Sequence, residues 1–474
     1  GEIGLYIVVD VELQCVTFKY PGLLPWDIWL SEAQERMVLA VPERHLPRLQ
    51  AICDGLEVEW TVIGRLAEHG RLRVHYGGEQ VADLDMAFVH DCWSAGTMRA
   101  EWAPPDLPEP SLPPPADATG LLLRLLGHPD VASKEPIIRR YDHEVQGATV
   151  VKPLAGPAAD GPSDAPVLKP LVTRGSTGIA LGCGINPHFG RLDPYAMAWA
   201  AVDEALRNVV CAGADPDRVA LLDNFCWGNP RLPDRLGGLV RAAQGCHDAA
   251  MAYGAPFICG KDSLNNEYID PRGVKRAIPP TLLISSLGIV PDVKQAVTMD
   301  LKGAGNLLYA VGETRAELGG SLYYRLHGIP GGVVPAPVPG TIDTMRALHT
   351  AMRSGLVRAC HDAAEGGLAV AVAEMALAGR LGAELSLVDL PRAPGVDRDD
   401  VALFSESCGR FLVEVAPDDA ATFEQALAGR PCAPVGRVSA PGSARLHIGG
   451  LRGEPVIDCP VAQLVAAFTR SEGA

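Results

Sequence analysis

Side chains that suit a magnesium site occur at four separate positions of the chain. Glu204 and Asn208 are four positions apart on a predicted helix, so they share one of its faces. Asp164 and Asp362 are two further oxygen donors that folding could bring beside them. Carboxylate and amide oxygens of this kind bind magnesium on a polyphosphate. The alternative is that Glu204 and Asn208 are ordinary polar surface residues.

Two apolar stretches each run into a polar sequence that contains glycine. Residues 218–221 lead into LDNFCWGNP at 222–230, and residues 256–259 lead into GKDSL at 260–264. We predict that each marks the exit of a buried strand, where exposed backbone N–H groups commonly bind anions and nucleotides. Two ordinary strand–loop junctions are the alternative. The two sequences together predict a nucleotide site.

Paired glycines precede a predicted helix at residues 369–378. The sequence HDAAEGGL at 361–368 would let the backbone approach a phosphate at the helix N-terminus, where the helix dipole favours an anion. The sequence ELGGS at 317–321 has the same character. A plain turn is the alternative for both. His361 is more often structural than catalytic in such a place, and His188 is an acid or base by residue type alone.

Glu32 and Gln34 precede a predicted strand. A glutamine amide can both donate to and accept from an amide-bearing ligand. The alternative is capping of the strand entry, and the similar sequence at Glu406 supports a partly structural role.

The composition is that of a soluble globular protein. The 474 residues suffice for two to four domains, and 47% of them are apolar. The net charge of −16 argues against a broad basic face for nucleic acid, and no apolar run is long enough for a membrane span. The 12 cysteines have no zinc-site spacing, which indicates free thiols in a reducing cytoplasm.

Strand and helix signals alternate along the chain, so we predict an α/β fold. A long helix is predicted at 193–210, with Pro194 in its first turn and Asp193 as its cap. Residues 104–116 are rich in proline and acid, which indicates a linker or an extended strap. Strands are predicted at 37–41, 61–64 and 71–76, and domains at 1–103, 120–300 and 301–474, with the linker at 104–119.

An internal repeat relates the two ends of the chain. Ser31 and Ser405 begin the similar sequences SEAQER and SESCGR, 374 positions apart, and each leads into a predicted strand and helix. Gly64 and Gly436 lie in later matching stretches. The chain is predicted to open with the end of a domain whose second copy closes it. Because the first residue is Gly1 and not Met, we expect a fragment or a processed chain.

These sequences resemble the phosphoribosylformylglycinamidine synthase family, from about residue 24 to near the C-terminus. Residues 1–20 show no such resemblance. The family implies two tandem modules like aminoimidazole ribonucleotide synthetase, each with an N-terminal and a C-terminal α/β domain, and with the N-terminal domains paired. The stretches that carry the resemblance are 30–37, 140–147, 222–230, 260–264 and 362–368.

The resemblance also implies a reaction. Formylglycinamide ribonucleotide, ATP and ammonia from glutamine would give formylglycinamidine ribonucleotide, ADP and phosphate, with magnesium bound to the nucleotide. The partners implied are a glutaminase subunit or domain and the missing N-terminal half of the enzyme.

Site residues are carried over by position. Those matching Asp223 and Gly260 contact ATP in small-type members. Positions matching Ser263, Glu32, Ala33 and Gln34 contact the ribonucleotide substrate. In large-type members, positions matching Asp164, Glu204, Asn208 and Asp362 hold magnesium at an auxiliary nucleotide site.

Two departures from the family pattern limit what the chain is expected to do. The family's catalytic histidine lies in a domain that this sequence lacks, so we expect no catalytic residue here and an incomplete catalyst. Lys261 stands where some members have an asparagine metal ligand, and we do not count it as a ligand. The alternatives are a nucleotide-binding structural fragment or another ATP-dependent member of the superfamily, and the repeat argues against the latter.

Overall fold

The computed structural model of the protein describes residues 8–18, 20–31, 36–91, 96–108, 110–141, 143–439, 442 and 444–470. The chain divides into two compact units, residues 1–97 and residues 98–474. Both units contain strands and helices, which confirms the predicted α/β class. None of the helices in these described ranges combines the length and the apolar content that crossing a membrane requires.

The first unit is built on a four-stranded sheet. Its elements are β1 (Val8–Glu12), α1 (Pro25–Leu30), α2 (Leu46–Gly55), β2 (Gly64–Ala67), β3 (Arg71–Tyr76), β4 (Glu79–Asp85) and α3 (Met86–Asp91). The strand order is β2-β1-β3-β4, and β1 is antiparallel to β2 but parallel to β3. A small core beneath the sheet includes Val11, Leu13, Ile28 and Val74. The strand predicted at 71–76 is confirmed as β3.

The second unit begins with a six-stranded sheet of order β5-β6-β7-β12-β8-β9. Buried and more exposed residues alternate along β7, so the strand has one buried face and one open face. Helices α7 and α8 pack against the buried face of the sheet. Asp193 caps α7 through a hydrogen bond from Tyr195 N (2.9 Å), as predicted. The elements are α4 (Ala118–Leu126), α5 (Glu135–Ile138), β5 (Thr149–Val151), β6 (Val167–Leu168), β7 (Gly178–Ile185), α6 (Pro187–Gly190), α7 (Pro194–Cys211), β8 (Val219–Trp227), α8 (Pro233–Tyr253), β9 (Phe257–Leu264), β10 (Glu267–Ile269), β11 (Lys275–Ala277) and β12 (Thr281–Val290).

The rest of the second unit surrounds a seven-stranded sheet. Its elements are β13 (Leu307–Val311), α9 (Leu322–Leu326), α10 (Thr341–Arg353), β14 (Val357–Asp362), α11 (Gly367–Gly379), β15 (Ala383–Ser386), α12 (Asp399–Phe404), β16 (Phe411–Val415), α13 (Ala420–Ala426), β17 (Cys432–Val438), β18 (Arg445–Gly449), β19 (Pro455–Pro460) and α14 (Val461–Thr469). The strand order is β14-β16-β13-β17-β15-β18-β19. Helix α11 is apolar nearly all round and buried in the core, as such a helix must be.

The four strands of the first unit repeat the last four of the seven-stranded sheet. The order β2-β1-β3-β4 corresponds to β17-β15-β18-β19, with the antiparallel and parallel pairs in the same places. Each copy also has a glycine where a Cβ would meet a backbone oxygen, Gly64 against Asp10 and Gly436 against Glu384. The repeat therefore includes β1, which corresponds to β15.

Two strand predictions in the first unit are wrong. Residues 37–41 form no strand, although their counterpart at an offset of 374 is β16. A strand needs a ladder partner; β16 lies between β13 and β14, whereas no described strand pairs with residues 37–41. The strand predicted at 61–64 begins only at Gly64, where pairing with β1 starts.

The predicted exits of two buried strands are also misplaced. Strands β8 and β9 continue to Trp227 and Leu264, so the polar residues lie within the strands. The two strands pair in parallel, with Asp223 opposite Gly260 and Cys226 opposite Ser263. Their backbone groups in this stretch therefore serve the sheet and are not an exposed turn.

The proline-rich segment lies along the second unit. Glu101 N donates to Pro233 O (2.8 Å), and the guanidinium of Arg241 lies 4.0 Å above the ring of Trp102. Farther along, Arg398 donates to Leu112 O (2.9 Å). The segment thus has the contacts of an extended strap, the second of the two predicted possibilities.

Candidate functional site

The folded chain brings Asp164 and Asp362 together. Asp362 ends β14, and Asp164 lies in the loop before β6; Asp164 Oδ1 accepts a hydrogen bond from Asp362 N (3.1 Å). One ligand atom from each, with one from His361, lie within 4.8 Å of one another. Glu204 on α7 is near enough for its charge to act on Asp362. We call Asp164, Glu204 and Asp362 the acidic cluster.

His361 lies between two carboxylates. Its Nδ1 is 2.8 Å from Asp164 Oδ1, and its Nε2 is 3.0 Å from Glu374 Oε2 on α11. Burial acts to lower the pKa of His361, but Asp164 and Glu374 outweigh it and hold that pKa well above its usual value. The imidazole is therefore an internal cation that orients Asp164.

Arg207 is the second internal cation of this region. Its Nε is 3.1 Å from Asp203 Oδ2, one helical turn earlier, and its Nη2 is 3.4 Å from Asp362 Oδ2. Burial raises the pKa of Asp362 to about 6, although the charge of Arg207 opposes this. Asp362 Oδ2 is buried without a hydrogen-bond partner. Arg207 was not predicted from the sequence. Its only local signal is that Asp203 lies four positions earlier on the same helix, a spacing that allows an ion pair.

Glu204 and Asn208 face the end of β7 from α7. Glu204 Oε2 accepts hydrogen bonds from Ile185 N (3.1 Å) and Asn186 Nδ2 (2.7 Å). Burial and then the charge of Asp362 raise the pKa of Glu204 to about 8. Asn208 Nδ2 donates to Cys183 O (2.7 Å), which leaves its carbonyl oxygen as the atom a cation could use. Glu204 thus belongs to the cluster, and Asn208 lies one turn beyond it.

The glycine pairs do not provide open space for a phosphate. A Cβ at Gly367 would meet the backbone oxygens of Leu403 and Ser405, and one at Gly320 would meet His188. Both glycines therefore allow close packing of the chain, which corrects the prediction of a phosphate cradle. The helix starts are instead held by Glu406, whose Oε1 accepts from Leu322 N (2.9 Å) and Gly366 N (2.8 Å).

His188 is not poised to donate a proton. Its Nε2 lies 2.6 Å from Arg325 Nη1, and Arg325 Nη2 donates to Asp130 (2.6 Å). Burial, followed by the charge of Arg325, lowers the pKa of His188 to about 4. The ring is neutral near pH 7 and accepts from Arg325.

Asp223, Gly260 and Ser263 lie at the outer edge of the six-stranded sheet, which we call the β8–β9 edge. Asp223 is opposite Gly260, where a Cβ would collide with its carboxylate. Burial and then the charge of Asp262 raise the pKa of Asp223. Ser263 is opposite Cys226 and so projects from the other face of the sheet. The other predicted substrate residues, Glu32, Ala33 and Gln34, lie outside the described residues.

Family models match both parts of the repeat. The model "AIR synthase related protein, C-terminal domain" matches residues 1–77 and 303–449, and "AIR synthase related protein, N-terminal domain" matches residues 163–290. Residues 1–20, whose sequence alone showed no resemblance to the family, therefore lie within the match. The first of these models follows the structural repeat. It covers β1, β2 and β3 of the four-stranded sheet and all strands of the seven-stranded sheet except β19.

Curated relatives match almost the whole chain. The phosphoribosylformylglycinamidine synthase subunit PurL of Deinococcus radiodurans is 39% identical over 91% of this chain and 57% of that protein. PurL of Thermomicrobium roseum is 35% identical over 97% of this chain and 61% of that protein. The chain thus spans about three fifths of the length of these relatives.

A solved structure has the same fold. T. maritima PurL complexed with ADP aligns with a TM-score of 0.58 at 20% identity, over 93% of this chain and 61% of that one. The two family models and the curated relatives indicate the same family for the chain. The chain belongs to the AIR synthase related protein family, and it is similar over most of its length to the phosphoribosylformylglycinamidine synthase subunit PurL.

Proposed function

We propose that the chain is part of a phosphoribosylformylglycinamidine synthase. The reaction would convert formylglycinamide ribonucleotide, ATP and glutamine-derived ammonia to formylglycinamidine ribonucleotide, ADP and phosphate. The observation that carries the proposal is identity of 35–39% to PurL subunits over 91–97% of the chain. T. maritima PurL, which shares the fold, is known in complexes with ADP, with ATP and with FGAR.

The acidic cluster has the properties of a magnesium site. Asp362 Oδ2 is a buried carboxylate oxygen without a hydrogen bond, and burial raises the pKa values of Asp362 and Glu204. Asp362 Oδ2 therefore has an unused acceptor position, and the donors of the cluster are the oxygens that magnesium prefers. We therefore assign Asp164, Glu204, Asn208 and Asp362 to magnesium, which when bound would neutralise charge on a nucleotide polyphosphate.

The chain's own side chains fix the orientation of these donors. His361, held by Glu374, orients Asp164, and Arg207 orients Asp362. The hydrogen bonds from Ile185 and Asn186 fix Glu204. Contacts of this kind around metal ligands pre-orient them and raise affinity.

The β8–β9 edge is assigned to the reacting ligands. We assign Asp223 and Gly260 to ATP, and Ser263 with Glu32, Ala33 and Gln34 to formylglycinamide ribonucleotide. The partners would be a glutaminase subunit or domain and the remaining part of the synthase. The fold is also that of PurLQS from T. maritima (TM-score 0.58, 19% identity), which supports an assembly of several subunits. The unpaired thiols of the described cysteines support a cytoplasmic location.

Calorimetric titration of ADP into the full chain, with and without magnesium, tests the assignment. We expect magnesium-dependent binding that Glu204→Ala weakens at least tenfold, because the variant removes a cluster carboxylate. Glu384→Ala is the matched control, since Glu384 is an exposed acid on β15, and should bind like the parent. Absence of magnesium-dependent binding would contradict the metal assignment, and formation of formylglycinamidine ribonucleotide by the chain alone would contradict its incompleteness.

A further inference from the structure

The open face of the six-stranded sheet carries a single charge on its four longest strands. Cross-strand register places Lys261 of β9 beside Asn224 of β8. The same row continues with Leu283 of β12 and Ile185 of β7. Residues in register share a face, as do alternate residues of one strand. Among the described residues of these four strands, Lys261 is therefore the one charged side chain on that face.

The chain provides no acid for the Lys261 ammonium. Lys261 is exposed, and no carboxylate of the described residues lies within ion-pair distance of it. Other lysines of the same unit are paired: Lys275 Nζ is 2.7 Å from Glu267 Oε2, and Lys302 Nζ is 2.6 Å from Asp300 Oδ1. An anion that reaches the open face at Lys261 thus meets a cation without a competing carboxylate.

Two neutral side chains add hydrogen-bond donors beside Lys261. Asn224 is directly opposite, and Ser263 lies two positions further along β9, roughly 7 Å away. Asn224 Nδ2 has no partner among the described residues, and Ser263 Oγ donates only to Asn266 Oδ1, at 3.2 Å. Ammonium, amide and hydroxyl donors together suit a phosphate group, which has several acceptor oxygens.

We infer that Lys261 binds a phosphate group of a ligand on the open face. The inference rests on the proposed function, which assigns formylglycinamide ribonucleotide to Ser263 and ATP to Asp223 and Gly260. Ser263 shares its face with Lys261, whereas Asp223 projects from the other one, so the phosphate of the ribonucleotide is the expected ligand. An ammonium has donors and no acceptor, so Lys261 acts on the anion directly and not as a metal ligand.

Substitutions in the complete synthase test the inference. Lys261→Met removes the charge, Lys261→Arg keeps it, and Lys294→Met is the matched control, because Lys294 is an exposed lysine elsewhere in the same unit. Losing a charge-assisted hydrogen bond typically weakens binding about tenfold or more, so Lys261→Met should raise the KM for formylglycinamide ribonucleotide by about that factor. Lys261→Arg should restore most of the loss, and Lys294→Met should match the parent.

Two competitive inhibitors identify the source of the phosphate. Ribose 5-phosphate represents the phosphate of the ribonucleotide, and pyrophosphate represents that of ATP. Lys261→Met should weaken inhibition by ribose 5-phosphate about tenfold and leave inhibition by pyrophosphate unchanged. The reverse result would support phosphate binding with ATP as its source. Unchanged inhibition by both probes would overturn the inference, and so would a rise in KM that Lys294→Met reproduces.

Direct binding separates this inference from the proposed reaction. Equilibrium dialysis of ribose 5-phosphate and of pyrophosphate against the same assemblies needs no turnover. If the parent binds one of these probes and Lys261→Met does not, the phosphate site stands even where no formylglycinamidine ribonucleotide is formed, and the proposed reaction alone fails. If the parent catalyses the reaction and Lys261→Met equals it in binding and in kinetics, the assignment of Lys261 alone fails.

Discussion

The acidic cluster and the β8–β9 edge hold their carboxylates in opposite ways. In the cluster, Asp164 and Asp362 are buried against two cations of the chain, His361 and Arg207. At the edge, Asp223 has no cationic partner among the described residues, and β9 is mostly exposed. The chain itself therefore supplies the charge partners of the cluster, whereas the carboxylate at the edge is left for a ligand or another chain to bind.

The difference follows from where the elements meet. Helix α7 and strand β14 bring Glu204, Arg207 and Asp362 together inside one unit, so burial forces their charges to be balanced locally. Strand β9 is the edge strand of its sheet, with a neighbour on one side only. Its side chains are mostly exposed, so water can solvate their charges without a partner from the chain. The predictions below separate the two regions by the size of the response to substitution.

The largest effect is expected for Arg207→Met. The variant leaves Asp203 and Asp362 buried without their cation, which typically costs about 3–5 kcal/mol of stability. Arg346→Met is the control, because Arg346 and Asp217 form a half-exposed pair worth roughly 1 kcal/mol or less. Urea unfolding followed by circular dichroism gives both values. Equal stabilities of the two variants would mean that the cluster does not need its internal cation.

A pH dependence is expected from Glu406, whose pKa burial raises to about 7 from its ordinary 4.5. Between these values the folded chain keeps the proton and the unfolded chain has lost it, so the unfolded state binds fewer protons. Stability must therefore fall as pH rises from 4.5 to 7, by on the order of 3 kcal/mol.

Glu406→Gln removes this titration while keeping an oxygen for the amides of Leu322 and Gly366. The difference in unfolding free energy between the variant and the parent should therefore shift in favour of the variant as pH rises from 4.5 to 7. Denaturant unfolding at several pH values measures it. A difference that is flat with pH would show that Glu406 is ionised in the folded chain at pH 5.

What could be predicted from sequence differs between the two regions for the same reason. The long helix with its Asp193 cap was predictable because its signals are local, and so were Glu204 and Asn208 on one face of it. The network of His361, Glu374 and Arg207 could not be predicted, because only tertiary packing brings His361 to Asp164 and Arg207 to Asp362, and both pairs are far apart in the sequence.

The errors have a similar origin. Residues 37–41 have a strand-forming sequence but no described strand beside them, since strand formation depends on pairing partners as well as on composition. The sequences at 222–230 and 260–264 have turn-like residues, yet parallel pairing of β8 with β9 continues through most of them. The metal assignment and the ligand assignment both stay predictions. Two variants at the β8–β9 edge test the ligand assignment.

Gly260→Ala should act on the ligand more than on the fold. A methyl group there would meet Asp223 Oδ1, so the carboxylate must move, while the exposed edge strand can adjust. We expect a loss of stability of roughly 1 kcal/mol or less, with ATP affinity of the complete synthase reduced at least tenfold. Gly273→Ala is unsuitable as a control because of its positive φ, so Gly55→Ala, which meets no neighbour, is used. Unchanged ATP affinity would remove Asp223 and Gly260 from the nucleotide site.

The smallest effect is expected for Ser263→Ala. The change removes one hydrogen bond, from Ser263 Oγ to Asn266 Oδ1 (3.2 Å), at an edge that water reaches, so stability should change by about 0.5 kcal/mol or less. Because Ser263 projects from the face opposite Asp223, ATP affinity of the complete synthase should stay unchanged while the KM for formylglycinamide ribonucleotide rises. Steady-state kinetics with each substrate varied in turn separates the two constants. A rise in the KM for ATP alone would place ATP on the Ser263 face, and the assignment of that face to the ribonucleotide would be wrong.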